Sequence, residues 1–177
     1  MRAILFLLVS ATLVMAGCKA QDPAAKQAQA AEDSLKFQMA VDALNNHDFV
    51  LEADRITFKS GRFVYVDSNT NFVSMKNEKA TIQLAFNSPY AGPNGIGGIT
   101  VEGTVSNIKM KTDKKGNVYY SMNVFGTGVS ATVSINMIAG TNQCTAVVIP
   151  NLNSREITFS GYLYPALESN VFKGRAL

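Results

Sequence analysis

Two carboxylates, Glu52 and Asp54, stand two positions apart in a segment of apolar and charged alternation. On an extended strand they share a face, with about 7 Å between their Cα atoms. That geometry suits acid–base chemistry or a share in a calcium site. Neither use is complete with two groups, because calcium takes six to eight oxygens and no third ligand stands nearby in the chain. A solvated strand face is the expectation. His47, the one histidine, has no Cys, His or Gly-x-Ser-x-Gly motif around it and reads as a helix-to-strand junction residue. Cys144 lies in Gln143-Cys144-Thr145-Ala146-Val147-Val148, an apolar strand pattern without a basic neighbour to activate the thiol, so it is expected to pack. Gly95-Ile96-Gly97-Gly98 leads into a strand and lacks the Gly-Lys-Ser/Thr ending of a phosphate loop. No catalytic residue, metal site or cofactor is expected. Two residues could contact a ligand: Tyr90, in the long irregular stretch from Asn87 to Gly98, and Arg155, just before the last strand. Lys109, Lys111, Lys114 and Lys115 crowd one hairpin, where lysines discourage edge-to-edge pairing.

A different chemistry is written at the amino terminus. Arg2 supplies a positive start, and an apolar stretch follows, broken only by Ser10 and Thr12. Met15-Ala16-Gly17-Cys18 resembles the bacterial lipobox, in which an aliphatic residue and two small ones precede the modified cysteine. The resemblance implies cleavage before Cys18, attachment of a diacylglyceryl group to its sulfur, and usually N-acylation. Two or three acyl chains, at about 0.8 kcal/mol per buried CH₂, make release from a membrane negligible. Lipid on Cys18 leaves Cys144 alone, so no internal disulfide is expected.

Composition bounds the rest. The chain of 177 residues suffices for one substantial core. With 47% hydrophobic and 16% charged residues it reads as globular rather than disordered. A formal charge of +3, reduced by one when Arg2 is removed, gives no basis for nucleic-acid binding.

The elements that must position these groups follow from periodicity. Residues 1–17 read as a signal peptide, 18–34 as a lipidated tether and 35–177 as a single β-rich domain. The tether is rich in Ala, Gln and Lys, and Asp22-Pro23 offers a helix start. Phe37, Ala40, Val41 and Leu44 recur at helical spacing and predict one amphipathic helix stopped at Asn45-Asn46. From Phe49 the period becomes two. Lys59-Ser60-Gly61-Arg62 separates two short strands as a hairpin, and Asp67–Thr70 and Lys76–Lys79 make further turns. Val101 and Val105 lie on one parity, Ile108 and Met110 on the other, which predicts a β-bulge near Ser106-Asn107. Asp113–Asn117 is a hairpin tip, and Val129 to Met137 alternates apolar with Ser, Thr and Asn. The fold class is mainly β: an antiparallel meander forming a curved sheet, open barrel or sandwich, with one N-terminal helix.

Three motifs in this order carry a family resemblance: Phe49-Val50-Leu51-Glu52-Ala53-Asp54, Pro89-Tyr90-Ala91-Gly92, and Asn153-Ser154-Arg155-Glu156-Ile157-Thr158-Phe159-Ser160-Gly161-Tyr162. From Phe37 to Tyr164 the chain resembles a family of small lipoproteins of Bacteroides-like bacteria that carry a domain of unknown function. The resemblance implies a β-rich envelope domain and no known activity.

The functional expectation is a non-catalytic binding or interaction module of the cell envelope, held at the membrane by lipid on Cys18. Its partner would be an envelope protein, glycan or small ligand. The outer membrane is favoured, and its periplasmic face over the surface because Lys19-Ala20-Gln21-Asp22 is not the acidic cluster associated with surface export. The alternative is an envelope hydrolase whose site assembles only in the fold.

Overall fold

Proline at a first helical turn loses nothing, since its missing N–H would have no intrahelical partner. The helix α1, Pro23–Asn45, begins on that residue in a computed structural model that describes residues 23–86, 92–151 and 155–177. Its first half, which lacks large apolar residues, faces solvent and is braced by Lys36–Glu32 at 2.6 Å. Its second half buries Ala40, Ala43 and Leu44, with Phe37 and Val41 packed against the same core. From Pro23 onward, tether and amphipathic segment are therefore one continuous helix. It stops where expected: His47 takes a left-handed conformation (φ 54°), and its carbonyl accepts from the Asn77 amide at 2.9 Å.

Among the described residues nine strands follow: β1 Asp48–Phe58, β2 Phe63–Tyr65, β3 Phe72–Lys76, β4 Lys79–Ala85, β5 Gly98–Thr112, β6 Val118–Gly126, β7 Ser130–Met137, β8 Gln143–Pro150 and β9 Ile157–Pro165. In the sheet order β2-β1-β3-β4-β5-β6-β7-β8-β9 neighbouring strands pair antiparallel, and β9 pairs back onto β1 from Phe49↔Pro165 to Phe58↔Ile157. That last ladder closes an eight-stranded barrel, with β2 as a ninth strand on the far part of β1. The sequence left sheet, open barrel and sandwich unresolved; the β1–β9 ladder decides for the barrel.

Alternation places one parity of each strand inside. Phe49, Leu51, Val73, Met75, Tyr120, Met122, Val133, Ile135, Phe159 and Leu163 are almost wholly buried there. An eight-stranded barrel is just wide enough for side chains to fill it. The bulge expected near Ser106-Asn107 is present: the β5–β6 register shifts between Ser106 and Lys109, and Asn107 has φ 51°. A second shift, between Ala53 and Arg55 in β1, lets Ala53 and Ile56 both point inward.

The chain then does something that periodicity does not announce. After a short 3-10 helix, Ala166–Glu168, residues 169–177 cross the outside of β1, β4 and β5 as a strap. Gln83, fully buried on the outer face of β4, donates to Thr70 O (3.0 Å) and Phe172 O (2.7 Å). Its Oε1 accepts from Thr100 Oγ1 (2.9 Å) and the Gly174 amide (2.8 Å). The Ser169 hydroxyl donates to Glu52 at 2.6 Å, the Arg175 amide to Asn94 O, the Leu177 amide to Thr100 O, and Lys173 pairs with Glu102 at 3.1 Å.

Candidate functional site

β2 and β3 both run antiparallel to β1 along the same edge, so they are two pieces of one strand course. Between them the chain leaves the sheet: Val66 donates to Asp54 O, Asn71 O accepts from Ala53, and residues 67–70 loop outward. The excursion is built from polar turn residues. Asp67 Oδ1 accepts from the Asn69 amide (3.0 Å), and Asp67 O accepts from the Asn71 side chain (3.0 Å). On the other side, β4 pairs with β3 only as far as Gln83↔Phe72. Beyond that point the Ala85 amide donates to the Asn71 side chain (2.8 Å), and Phe86 donates to Gly97 O (3.3 Å). The barrel wall consequently has an open seam between β2 and the end of β4.

A groove of about 720 Å³ occupies this seam. Its walls include Val64, Tyr65, Val66, Ala85, Phe86 and Ile96, with Asp67, Thr70 and Asn71 at its polar end. That volume lies within the ~300–1,000 Å³ usual for ligand sites. The rim carries aromatic surface. Phe63 and Tyr65 are 55% and 76% exposed, and their rings meet edge to face at 5.7 Å. The Arg55 guanidinium lies 6.0 Å from the Phe63 ring centre, at cation–π range. Phe58 and Phe86, centroids 5.9 Å apart, close the core beneath.

The loop carrying Ile96 is held by its own polar residue. Buried Asn94 accepts from the amides of Ile96 (3.1 Å) and Gly98 (2.9 Å), and its side-chain amide donates to Leu84 O and Thr100 Oγ1. The four-residue Gly95–Gly98 run thus serves a tight return into β5, as expected, rather than a phosphate.

The family model "Domain of unknown function (DUF4251)" matches residues 31–163. The chain belongs to the DUF4251 family. A crystal structure of a DUF4251 family protein from Bacteroides eggerthii is similar, with 47% identity and a TM-score of 0.71, over 84% of this chain and 100% of that one. The search of curated proteins found no match. The resemblance drawn from three short motifs is therefore shown, and the family brings a fold without an assigned activity.

Within this DUF4251 domain the candidates drawn from sequence are scattered. Cys18 and Tyr90 lie outside the described residues. Arg155 is exposed just ahead of β9, beside Glu156, whose carbonyl accepts from Lys59 at 3.1 Å. It shares the barrel end that carries the β1–β2 hairpin but does not line the groove. Glu52 and Asp54 do share the outer face of β1, where Glu52 is engaged by Ser169 and Asp54 is exposed. His47 sits at the opposite end of the barrel, its ring edge toward Tyr120 at 6.4 Å. Among the described residues no cluster of three metal-ligating side chains occurs. Burial pushes the Cys144 thiol well above its ordinary range, as expected of a packing residue. Burial likewise pushes the Tyr120 phenol up to about 12, and its hydroxyl donates to Met75 Sδ at 3.3 Å.

Phe63-Val64-Tyr65-Val66 was legible as a strand but not as a site. Its signal was an apolar run without polar alternation, in a strand too short to belong to the barrel wall.

Proposed function

We propose that this protein is a lipid-anchored lipoprotein of the bacterial cell envelope whose barrel is a non-catalytic binding module, with the β2–β4 seam as its binding site. The anchor rests on the Met15-Ala16-Gly17-Cys18 motif and the apolar stretch before it. The exposed first half of α1, between anchor and barrel, suits a spacer, since half of this 23-residue helix spans about 18 Å. The outer membrane, periplasmic face, remains the favoured location, with an envelope protein, glycan or small ligand as partner class.

One observation carries the binding reading: the seam places an apolar groove beside exposed Phe63 and Tyr65. Exposed aromatic surface at the edge of a concavity is what a binding site needs and what a monomeric surface otherwise avoids. The non-catalytic reading is supported by the lining. Among the described lining residues Asp67 is the one carboxylate, and its Oδ1 is engaged by a backbone amide. General acid–base hydrolysis asks for a pair of positioned groups.

Two experiments test this. Full-length protein with Cys18→Ala should move from membrane to soluble fraction, and mass spectrometry of native material should give an acylated Cys18 at the amino terminus; an unacylated chain starting at Met1 refutes the anchor. A Phe63→Ala/Tyr65→Ala double variant should lose material captured from envelope extract at least tenfold, relative to a Tyr119→Ala/Tyr162→Ala pair on the far outer face. Equal capture by both pairs refutes the site.

A further inference from the structure

The β1–β2 ladder settles where the backbone groups of β2 point. Phe58 donates to Arg62 O at 2.8 Å and Val66 donates to Asp54 O at 2.9 Å, and Val64 stands opposite Ile56 between them. In an antiparallel ladder the bonded positions alternate. Arg62, Val64 and Val66 therefore face β1, while Phe63 and Tyr65 aim their N–H and C=O groups away from it, across the groove. Among the described residues these four groups have no backbone partner, because β2 pairs with β1 alone. The opposite wall differs: the amides of Ala85 and Phe86 are satisfied by Asn71 and Gly97. Among the described residues the groove thus offers a strand edge with unpaired main-chain groups on its β2 side, facing a wall whose Ala85 amide is already taken.

Its two faces differ in chemistry. Inward, toward Val64, Val66, Phe86 and Ile96, the surface is apolar. Outward, Arg55 stands directly across from Tyr65, lies against Phe63, and is in no ion pair among the described residues. A strand laid along β2 would alternate its own side chains between these faces. Charge complementarity then specifies the outward set as acidic and the inward set as apolar.

We infer that the free edge of β2 receives an extended acidic peptide by strand addition, with alternate apolar side chains in the groove and carboxylates toward Arg55. This rests on the seam being the binding site and names the class of ligand that it takes. Three residues of β2 give about 10 Å of edge, enough for up to four main-chain hydrogen bonds from Phe63 and Tyr65. Main-chain bonds supply generic affinity in such complexes, and the side-chain pockets supply choice.

The test uses the full chain in detergent, labelled with 15N, and a ten-residue peptide of alternating Glu and Val. Binding should slow hydrogen exchange at the Phe63 and Tyr65 amides at least tenfold. Methylating alternate backbone nitrogens of the peptide, which removes donors but keeps every side chain, should weaken binding at least tenfold in one of its two registers. Arg55→Glu should weaken the Glu/Val peptide at least threefold and favour a Lys/Val peptide instead. Binding that leaves the two amides exchanging freely, or that ignores backbone methylation, overturns strand addition. No binding at millimolar peptide also overturns it; the groove itself then survives only if the Phe63/Tyr65 double variant still loses envelope capture.

Discussion

Gln83 uses its whole hydrogen-bonding capacity, two donors and two acceptors, to join β4 to Thr70, Thr100 and the strap at Phe172 and Gly174. Gln83→Leu keeps the approximate volume and removes all four bonds. Each is worth about 1 kcal/mol net, and each partner left buried without water costs about 1–3 kcal/mol. If the strap stayed in place, Phe172 O and the Gly174 amide would pay that larger penalty. If it lifts, water satisfies them and the loss is limited to the strap's docking. The cheaper route wins, so the expected loss is about 2–4 kcal/mol, with the strap detached. Urea denaturation should show a lower midpoint with a slightly smaller slope, since the variant's folded state already exposes surface. Hydrogen exchange should accelerate at the Phe172, Gly174, Arg175 and Leu177 amides while β6–β8 stay protected. Gln83→Glu adds a sign test. Its carboxylate would face two carbonyl oxygens, so its folded pKa is raised. Stability relative to the native protein is then retained below the unfolded value of about 4.3 and lost as pH rises through the folded one. A loss under 0.5 kcal/mol for Gln83→Leu (on the order of the ~0.5–1.5 kcal/mol of one bond), or strap amides as protected as before, would refute the reasoning.

Three other perturbations have definite outcomes. At Gly161 an added Cβ would collide with the Glu52 carbonyl and lie 2.8 Å from Ala53 Cα, at the ladder that closes the barrel. Gly161→Ala should therefore cost more than about 3 kcal/mol or prevent folding, read by thermal denaturation or soluble yield. Tyr120, whose folded pKa is raised to about 12, supports the fold fully below pH 10 and loses that support as pH rises toward 12. Tyr120→Phe should remove that segment of the alkaline stability decline, measured by denaturant midpoints at stepped pH. Cys144, buried and with a raised pKa, should react with a thiol reagent only after unfolding; rapid labelling of the folded protein would contradict its placement.

Much of this architecture is local and could be read from the chain. Strand parity, the turns at Asn77 and Asp113–Asn117, the helix stop before His47 and the bulge at Asn107 each depend on a few neighbouring residues and their side-chain chemistry. So does the packing role of Cys144, since its setting among Ala146, Val148 and their alternating partners already lacked anything to activate a thiol. The seam was not local. It exists because β2 and β3 lie on one edge of β1 while residues 67–70 leave the sheet, and that depends on pairings between residues far apart in the chain.

The amino acids by themselves determined the strand period, the positions of most reversals, the N-terminal helix and its buried stripe, because these follow from backbone preferences and side-chain size over short spans. Only the tertiary structure decided that β9 returns to β1, that Gln83 is buried beneath a C-terminal strap, and that Phe63 and Tyr65 stand exposed beside an apolar groove. The physical reason is that closure and burial of this kind are set by long-range pairing, in which any of several antiparallel partners would satisfy the same alternating pattern.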